Sequence, residues 1–415
     1  MCSTFSVLGS PSDQLPFGVF SYFEPATFSE VCTLHLPTII AASKHSIMPF
    51  HILIACGGTG GHLFPGIAVG ETLSARGHDV TLLISEKKID SLAASGHEGM
   101  KFEKMPFLAM PRPWSPKMIP FLRGLWKGMN DCRALIRKNN IKVVLGMGGF
   151  TSLAPLVAGR RENCKTLIHE SNAIPGKANR LNARFCDVVL CGLDACVSHF
   201  EANKKIKTIK VVGTPVRTSM TLPLAEDPHE FFKLQKDKKT LLIMGGSQGA
   251  RGINRAVGAS LKELFGMGIQ ILHITGPNDY QEVKDAYTPF ADMPHTVVAF
   301  CHRMELAYQV ADLAIARSGA STLSELAYFG TPSLLVPYPF AADDHQTRNA
   351  EIFDRAGAAK LIVESTLNAT LLVEIVGEIL QRGDVSAAMR ASAMKIAVRD
   401  SAAKIASLVE QLAAK

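Results

Sequence analysis

The chain has 415 residues, 47 % of them hydrophobic and 20 % charged, and a formal net charge of +7. That length exceeds one ordinary core and implies two domains, and the composition excludes a disordered or fibrous chain. The modest positive charge favours an anionic partner, whether phosphate, lipid headgroup or nucleic acid. Basic residues form no long blocks, however, so no nucleic-acid arm is signalled, and no apolar run reaches the roughly 18 residues of a membrane span.

The first 47 residues hold one Lys, no Arg, three acidic residues and five Phe. They show no strong period and lack the basic start of a secretory signal. This stretch reads as an upstream mis-called start or as a disordered tail; without it the net charge is +9, from 43 basic and 34 acidic residues. From Met48 the pattern alternates between short apolar runs and helical stretches. The runs His51–Cys56, Val80–Ser85, Lys101–Met105, Lys142–Gly146, Thr166–His169, Asp187–Cys191 and Ile209–Val212 read as strands. Helical patterns lie between them, as in Pro65–Ala75, Ile119–Lys138 and Pro175–Phe185. Such alternation predicts a parallel sheet covered on both faces. The Pro- and Thr-rich stretch Gly213–Glu230 reads as a linker. A second series follows, with strands at Thr240–Met244, Gln270–Thr275, Thr296–Ala299, Leu313–Ala316, Pro332–Val336 and Lys360–Val363, and helices from Leu367 onward. The expected architecture is two doubly wound α/β domains, residues 48–213 and 214–395. A final helix over 396–415 either packs in place or crosses back to the first domain. The nine cysteines include no C-x-x-C pair, so Cys186, Cys191 and Cys196 read as core residues of a reduced, cytosolic chain, and no metal site is expected.

The stretch ACGGTGGHLFPG (Ala55–Gly66) places Gly57, Gly58, Gly60 and Gly61 between a strand and a helix. Bare backbone there can turn several N–H groups toward one anion at a helix N-terminus, which makes a phosphate site. It is neither a Walker A loop nor a GxGxxG turn, so a dinucleotide oxidoreductase is disfavoured. The pattern recurs in LGMGGFTS, with Gly146, Gly148 and Gly149, and in MGGSQGARGIN, with Ser247 and Gln248. Three such loops in two domains suggest two phosphorylated ligands meeting in a cleft at the strand ends. His62 closes the first loop, where a neutral imidazole can take a proton from a hydroxyl or orient the acceptor that carries it.

Together GGTGGHLFPG, GMGGF, HESNAIPGKANR, GTPVR, GGSQGARGIN, RSGASTLSE and DDHQTRNA resemble the MurG family, from Met48 to the C-terminus. The resemblance implies the GT-B fold, two facing Rossmann-like domains with a cleft between them. It implies inverting transfer of N-acetylglucosamine from UDP-N-acetylglucosamine to the C4 hydroxyl of lipid I, undecaprenyl-diphospho-N-acetylmuramyl-pentapeptide. The product would be lipid II, for peptidoglycan synthesis, and no metal or other cofactor would be used. It further implies Thr59, Gly60 and Gly61 next to the donor sugar and the acceptor, with His62 at the close of that loop taken as the catalytic residue from its place there, and Asn172 and Gln346 reading the donor sugar with Asn349 beside Gln346. His169 and Glu170 would hold the loop. Arg217 would reach the donor phosphates, Ser247 and Gln248 would line the diphosphate loop, and Cys301 would take the uracil-side position. Ala320, Ser321, Thr322, Leu323 and Ser324 would form the turn around the nucleotide, and Glu325 would bind both ribose hydroxyls. Gly58, Gly148 and Gly149 would serve the acceptor diphosphate. Two departures stand out: Cys301 lies in AFCHRM, where the family often has Ile followed by acids, and Ser171 replaces a frequent Gln.

The stretch Phe107–Met129 interleaves Trp114, Phe121, Leu122 and Trp126 with Lys117, Arg123 and Lys127. Aromatics among cations suit an interfacial helix on an anionic membrane; the same spacing suits a core helix with a solvated basic face. A lipid-linked acceptor favours the first reading, and with it a peripheral position on the cytoplasmic face of the bacterial inner membrane. The competing functions are a related enzyme with another lipid acceptor, an epimerase of the same nucleotide sugar, and a non-catalytic nucleotide-sugar binder. Paired loops in the first domain speak against the epimerase, and the full set of site residues speaks against the binder.

Overall fold

The computed structural model describes residues 48–86, 97, 99–106, 111, 114–201, 206, 208–246 and 248–415. The expectations for residues 1–47 and for Ser247 lie outside that set.

The first sheet is built from β1 (His51–Ala55), β2 (Asp79–Ser85), β3 (Lys101–Met105), β4 (Ile141–Gly146), β5 (Lys165–Glu170), β6 (Val188–Cys191) and β7 (Ile209–Val211). All are parallel, in the order β3-β2-β1-β4-β5-β6-β7. The second comprises β8 (Thr240–Met244), β9 (Gln270–Ile274), β10 (His295–Val298), β11 (Leu313–Ala316), β12 (Ser333–Leu335) and β13 (Ala359–Leu361), also parallel, in the order β10-β9-β8-β11-β12-β13.

The inner strands are largely apolar runs because both faces of each sheet are covered, whereas the edge strands β3, β7 and β13 carry exposed Lys. Ile52 and Ile54 of β1 enter one core while Leu53 and Ala55 enter the opposite one. In β8, Leu242 and Met244 face one core and Leu241 and Ile243 the other. Strand order also locates the glycine loops. In each sheet the chain turns back beside its first strand, so β1 abuts β4 and β8 abuts β11. Connections leaving such neighbours diverge and open a crevice, and the loops after β1, β4 and β8 are the three glycine-rich ones.

Three segments differ from their sequence reading. The first helix begins at Gly60 rather than Pro65, with Thr59 extended as its N-cap. Gly60, Gly61 and His62 are therefore its first turn. The linker is shorter than expected: Met220 and Phe232 already pack in the core of the second domain, and Asp227 caps the short helix Pro228–Phe232 through the N–H groups of His229 and Glu230. The helix Met118–Lys138 is divided along its length. Its second half buries Gly128, Met129, Cys132 and Ile136, whereas Ile119, Leu122 and Trp126 in the first half stand in solvent.

The last helix, Ser401–Ala413, packs on the first domain. Its Ile405, Ala406 and Val409 are fully buried beside Ile67, Val69 and Leu73. Arg76 donates to Ser407 and Glu410, and Glu410 also meets His78 Nε2 at 3.1 Å. The chain thus crosses between domains twice. The crossings touch where Gly213 has φ +77° and a Cβ would lie 2.4 Å from Val398 Cβ.

Candidate active site

His62 sits between the two glycine loops of the first domain. A Cβ on Gly148 would lie 2.8 Å from its Nε2, and one on Gly149 would lie 3.3 Å from its Cε1. Both glycines have positive φ, +121° and +74°, so side chains are excluded twice, by conformation and by the imidazole. Thr59 Oγ1 lies 3.4 Å from Nδ1. The loops are tied together where the Thr151 hydroxyl donates to the Gly57 carbonyl, and Asn182 donates to that of Gly149. Three residues further along the helix, Pro65 lacks the N–H that would close on the Gly61 carbonyl. That carbonyl instead faces the Ser321 hydroxyl of the second domain at 3.4 Å.

The loop after β5 is organised by one carboxylate. Glu170 Oε1 accepts from the backbone and side-chain N–H groups of Asn172, and Oε2 accepts from Gly176 N and Asn179 Nδ2, all within 3.1 Å. Four donors use its accepting capacity, so Glu170 holds the loop and is not placed to take a proton. His169 is fully buried and donates from Nε2 to the Gly213 carbonyl at 2.8 Å, while the Ser171 hydroxyl meets Nδ1 at 3.3 Å. Burial lowers its pKa and keeps the ring neutral. Asn349, one helical turn after Gln346, is a buried bridge between domains. Its Oδ1 accepts from Ala173 N, and its amide nitrogen donates to Asn172 Oδ1 and to the Ser318 carbonyl.

On the second domain, Gly246 and Gly249 shape the loop after β8 with φ of +85° and +79°, and Gln248 is exposed on it. Glu325 is 8 % exposed and engaged at both oxygens: the Tyr308 hydroxyl donates to Oε2 at 2.8 Å, and Arg217 Nη2 lies 3.4 Å from Oε1. Burial and the adjacent carboxylate push the Tyr308 hydroxyl pKa well up, which keeps it a donor. The Arg217 guanidinium lies 4.9 Å from the Phe64 ring centroid, with its Nε buried and without a hydrogen-bond partner. Gly319 is the N-cap of the helix Ala320–Phe329, with no side chain capping the turn of Ala320, Ser321 and Thr322. Leu323 points into the core and its N–H bonds to Gly319, so it has little to offer a ligand. The Ser324 hydroxyl folds back to Ala320. Gln346 accepts from Tyr338 N through Oε1. Cys301 is buried, which raises its thiol pKa. Among the described residues no three His, Cys, Asp or Glu side chains gather as a metal site.

The glycosyltransferase family 28 N-terminal domain matches residues 52–191, and the family 28 C-terminal domain matches residues 240–409. A UDP-N-acetylglucosamine–N-acetylmuramyl-(pentapeptide) pyrophosphoryl-undecaprenol N-acetylglucosamine transferase from Halothermothrix orenii is 34 % identical over 333 residues, 79 % of this chain and 89 % of that one. Its namesake from Lawsonia intracellularis is 36 % identical over 335 residues, covering 79 % and 88 %. The crystal structure of Acinetobacter baumannii MurG superposes with a TM-score of 0.70 at 25 % identity, over 88 % of this chain and all of that one. The chain belongs to the MurG family.

In this MurG-family chain, Trp114 is fully exposed, Trp126 is 65 % exposed, and Leu122 is exposed near Lys117, Arg123 and Lys127. Phe121 is half-buried. No helix among the described residues is long and apolar enough to cross a membrane. Two residues at the site escape a reading of the motifs. Tyr308, the partner of Glu325, stands in the helix Met304–Val310, outside every motif. Pro65 matters through the hydrogen bond it cannot make.

Proposed function

We propose that the chain transfers N-acetylglucosamine from UDP-N-acetylglucosamine to the C4 hydroxyl of the N-acetylmuramyl group of lipid I, with inversion, forming lipid II. The activity for which its relatives are named supports the reaction. The observation that carries the assignment of roles is the commitment of the cleft carboxylates. Glu170 accepts four hydrogen bonds, and Glu325 is held by Tyr308 and Arg217. His62, packed on the two first-domain loops, is the group we assign to take the C4 hydroxyl proton as that oxygen attacks the anomeric carbon. The bond from that carbon to the diphosphate breaks, and UDP carries the electron pair away. Its charge is met by the N–H groups of the loop after β8, by the uncapped helix start at Ala320 and by Arg217, whose Nε has a hydrogen to give. Glu325 takes the ribose, Asn172 and Gln346 the donor sugar, and the turns at Gly58, Gly148 and Gly149 the acceptor diphosphate. Trp114, Phe121, Leu122 and Trp126 with their cationic neighbours rest on the anionic surface that holds the acceptor, the cytoplasmic face of the inner membrane.

The test is UDP release by the full chain from UDP-N-acetylglucosamine, with and without a short-chain lipid I analogue. Acceptor-dependent release, with a product heavier by one N-acetylhexosamine residue, is expected. Donor binding without acceptor-dependent release would overturn the transferase reading.

A further inference from the structure

A line of polar side chains beneath the second-domain glycine loop takes no part in the chemistry above. His273 on β9 is fully buried, with the Tyr287 hydroxyl 3.0 Å from Nδ1 and Asn254 Oδ1 3.1 Å from Nε2. The Asn254 amide nitrogen donates to the Thr275 carbonyl and to Asp279 Oδ2, each at 2.9 Å. These contacts fix every proton in the line. Two acceptors hold the amide nitrogen, so Oδ1 must face the imidazole. Nε2 then carries the ring hydrogen, and Nδ1 accepts from Tyr287. Burial enforces the neutral ring, with its pKa pushed down to about 3.

The far end of the line is the floor of the loop. A Cβ on Gly249 would lie 2.2 Å from the Thr275 oxygen, and one on Gly276 would lie 2.4 Å from Gly249 Cα. Loop backbone and Thr275–Gly276 are therefore in direct contact, and a shift of one moves the other. Asn254 stands on the helix Arg251–Gly258 that the loop runs into, and Asp279 also lies 3.5 Å from Arg251 Nε at the start of that helix.

We propose that His273 and Tyr287 are positioning residues for the donor-diphosphate loop: through Asn254 they hold the Thr275 carbonyl and Asp279, and so aim the N–H groups of Gly245, Gly246, Gln248, Gly249 and Ala250. This rests on the assignment of that loop to the donor.

The experiment is steady-state kinetics of the full chain with both substrates varied, for Tyr287→Phe, Asn254→Asp and Gly246→Ala, each with a thermal melt. Tyr287→Phe keeps the ring and removes the hydroxyl that donates to His273 Nδ1. It should raise the donor KM about fivefold, the worth of one hydrogen bond, with kcat and the acceptor KM within about twofold. Asn254→Asp keeps an acceptor toward His273 but sets oxygen against the Thr275 oxygen; it should raise the donor KM by more than about tenfold. Gly246→Ala strains the loop itself at φ +85° and should also raise the donor KM. If Gly246→Ala raises it while the other two lower only the melting temperature, the line is structural and the proposal fails. If Gly246→Ala also leaves the donor KM unchanged, the loop assignment falls and takes the proposal with it. Should Asn254→Asp not fold, Tyr287→Phe decides alone.

Discussion

In the first domain two glycine loops close on an imidazole, whereas in the second a single loop rests on a buried amide and imidazole and presents backbone and Gln248 upward. Both are turns between a strand and a helix, at equivalent places in their sheets. The difference lies in where the polar side chain sits. His62 is half-buried above its loops, within reach of a hydroxyl, while His273 is sealed below its loop and can only hold it. On the proposed reaction, one arrangement would move a proton and the other would keep N–H groups still.

The comparison breaks first at His62. His62→Ala should lower kcat by roughly 10²-fold or more with little change in donor KM. A loss confined to KM would make His62 a binding residue and erase the contrast. Glu325→Ala should do the reverse, raising the donor KM by roughly ten- to a hundredfold, because hydrogen bonds to a carboxylate are lost while Tyr308 and Arg217 lose their partner. An unchanged donor KM would remove Glu325 from the nucleotide site.

The buried histidines give a pH test. Burial lowers the pKa of both His169 and His273 below the ordinary 6.5. Above that value neither folded nor unfolded chain is protonated at these sites. Below it the unfolded chain gains protons that the folded chain refuses, so stability falls with acid. The slope approaches about 1.4 kcal/mol per pH unit per histidine until the folded pKa is reached. For His273 that is about 3. Urea midpoints between pH 7.5 and 4.5 should therefore fall less steeply in His273→Phe than in the unaltered chain; equal slopes would mean the buried imidazole is charged. The smallest effect concerns the exposed half of the helix Met118–Lys138. Trp126→Glu should weaken sedimentation with anionic vesicles several-fold and leave donor KM alone, because that side chain stands in solvent.

The inner strands were legible because both sheets are covered on both faces, which turns them into largely apolar runs with ends good to a residue or two. The glycine loops were legible because bare backbone is needed there. Three other features were not. Gly60 and Gly61 read as loop, although a helix tolerates them in its first turn, where N–H groups are unpaired in any case. The double contact of Asn349 with Ala173 and Asn172 joins residues some 176 positions apart, and no local pattern encodes it. The adjacency of β1 with β4 and of β8 with β11 is likewise topology rather than sequence. Glu170 shows the limit from another side: the motif implied only that it holds the loop, and the four donors through which it does so are seen in the structure alone.

The return of Ser401–Ala413 to the first domain bears on how the polypeptide is made. During synthesis β1 to β7 emerge first, yet the pocket of Ile67, Val69 and Leu73 that takes Ile405 and Val409 must wait for the whole second domain to be translated. Until then the earlier-made half carries an open apolar surface, while the later-made half can complete its own core at once. The expected order of maturation on the ribosome is therefore the reverse of the order of synthesis. A chain stopped before residue 401 should expose its first domain, rather than its second, to proteases and chaperones.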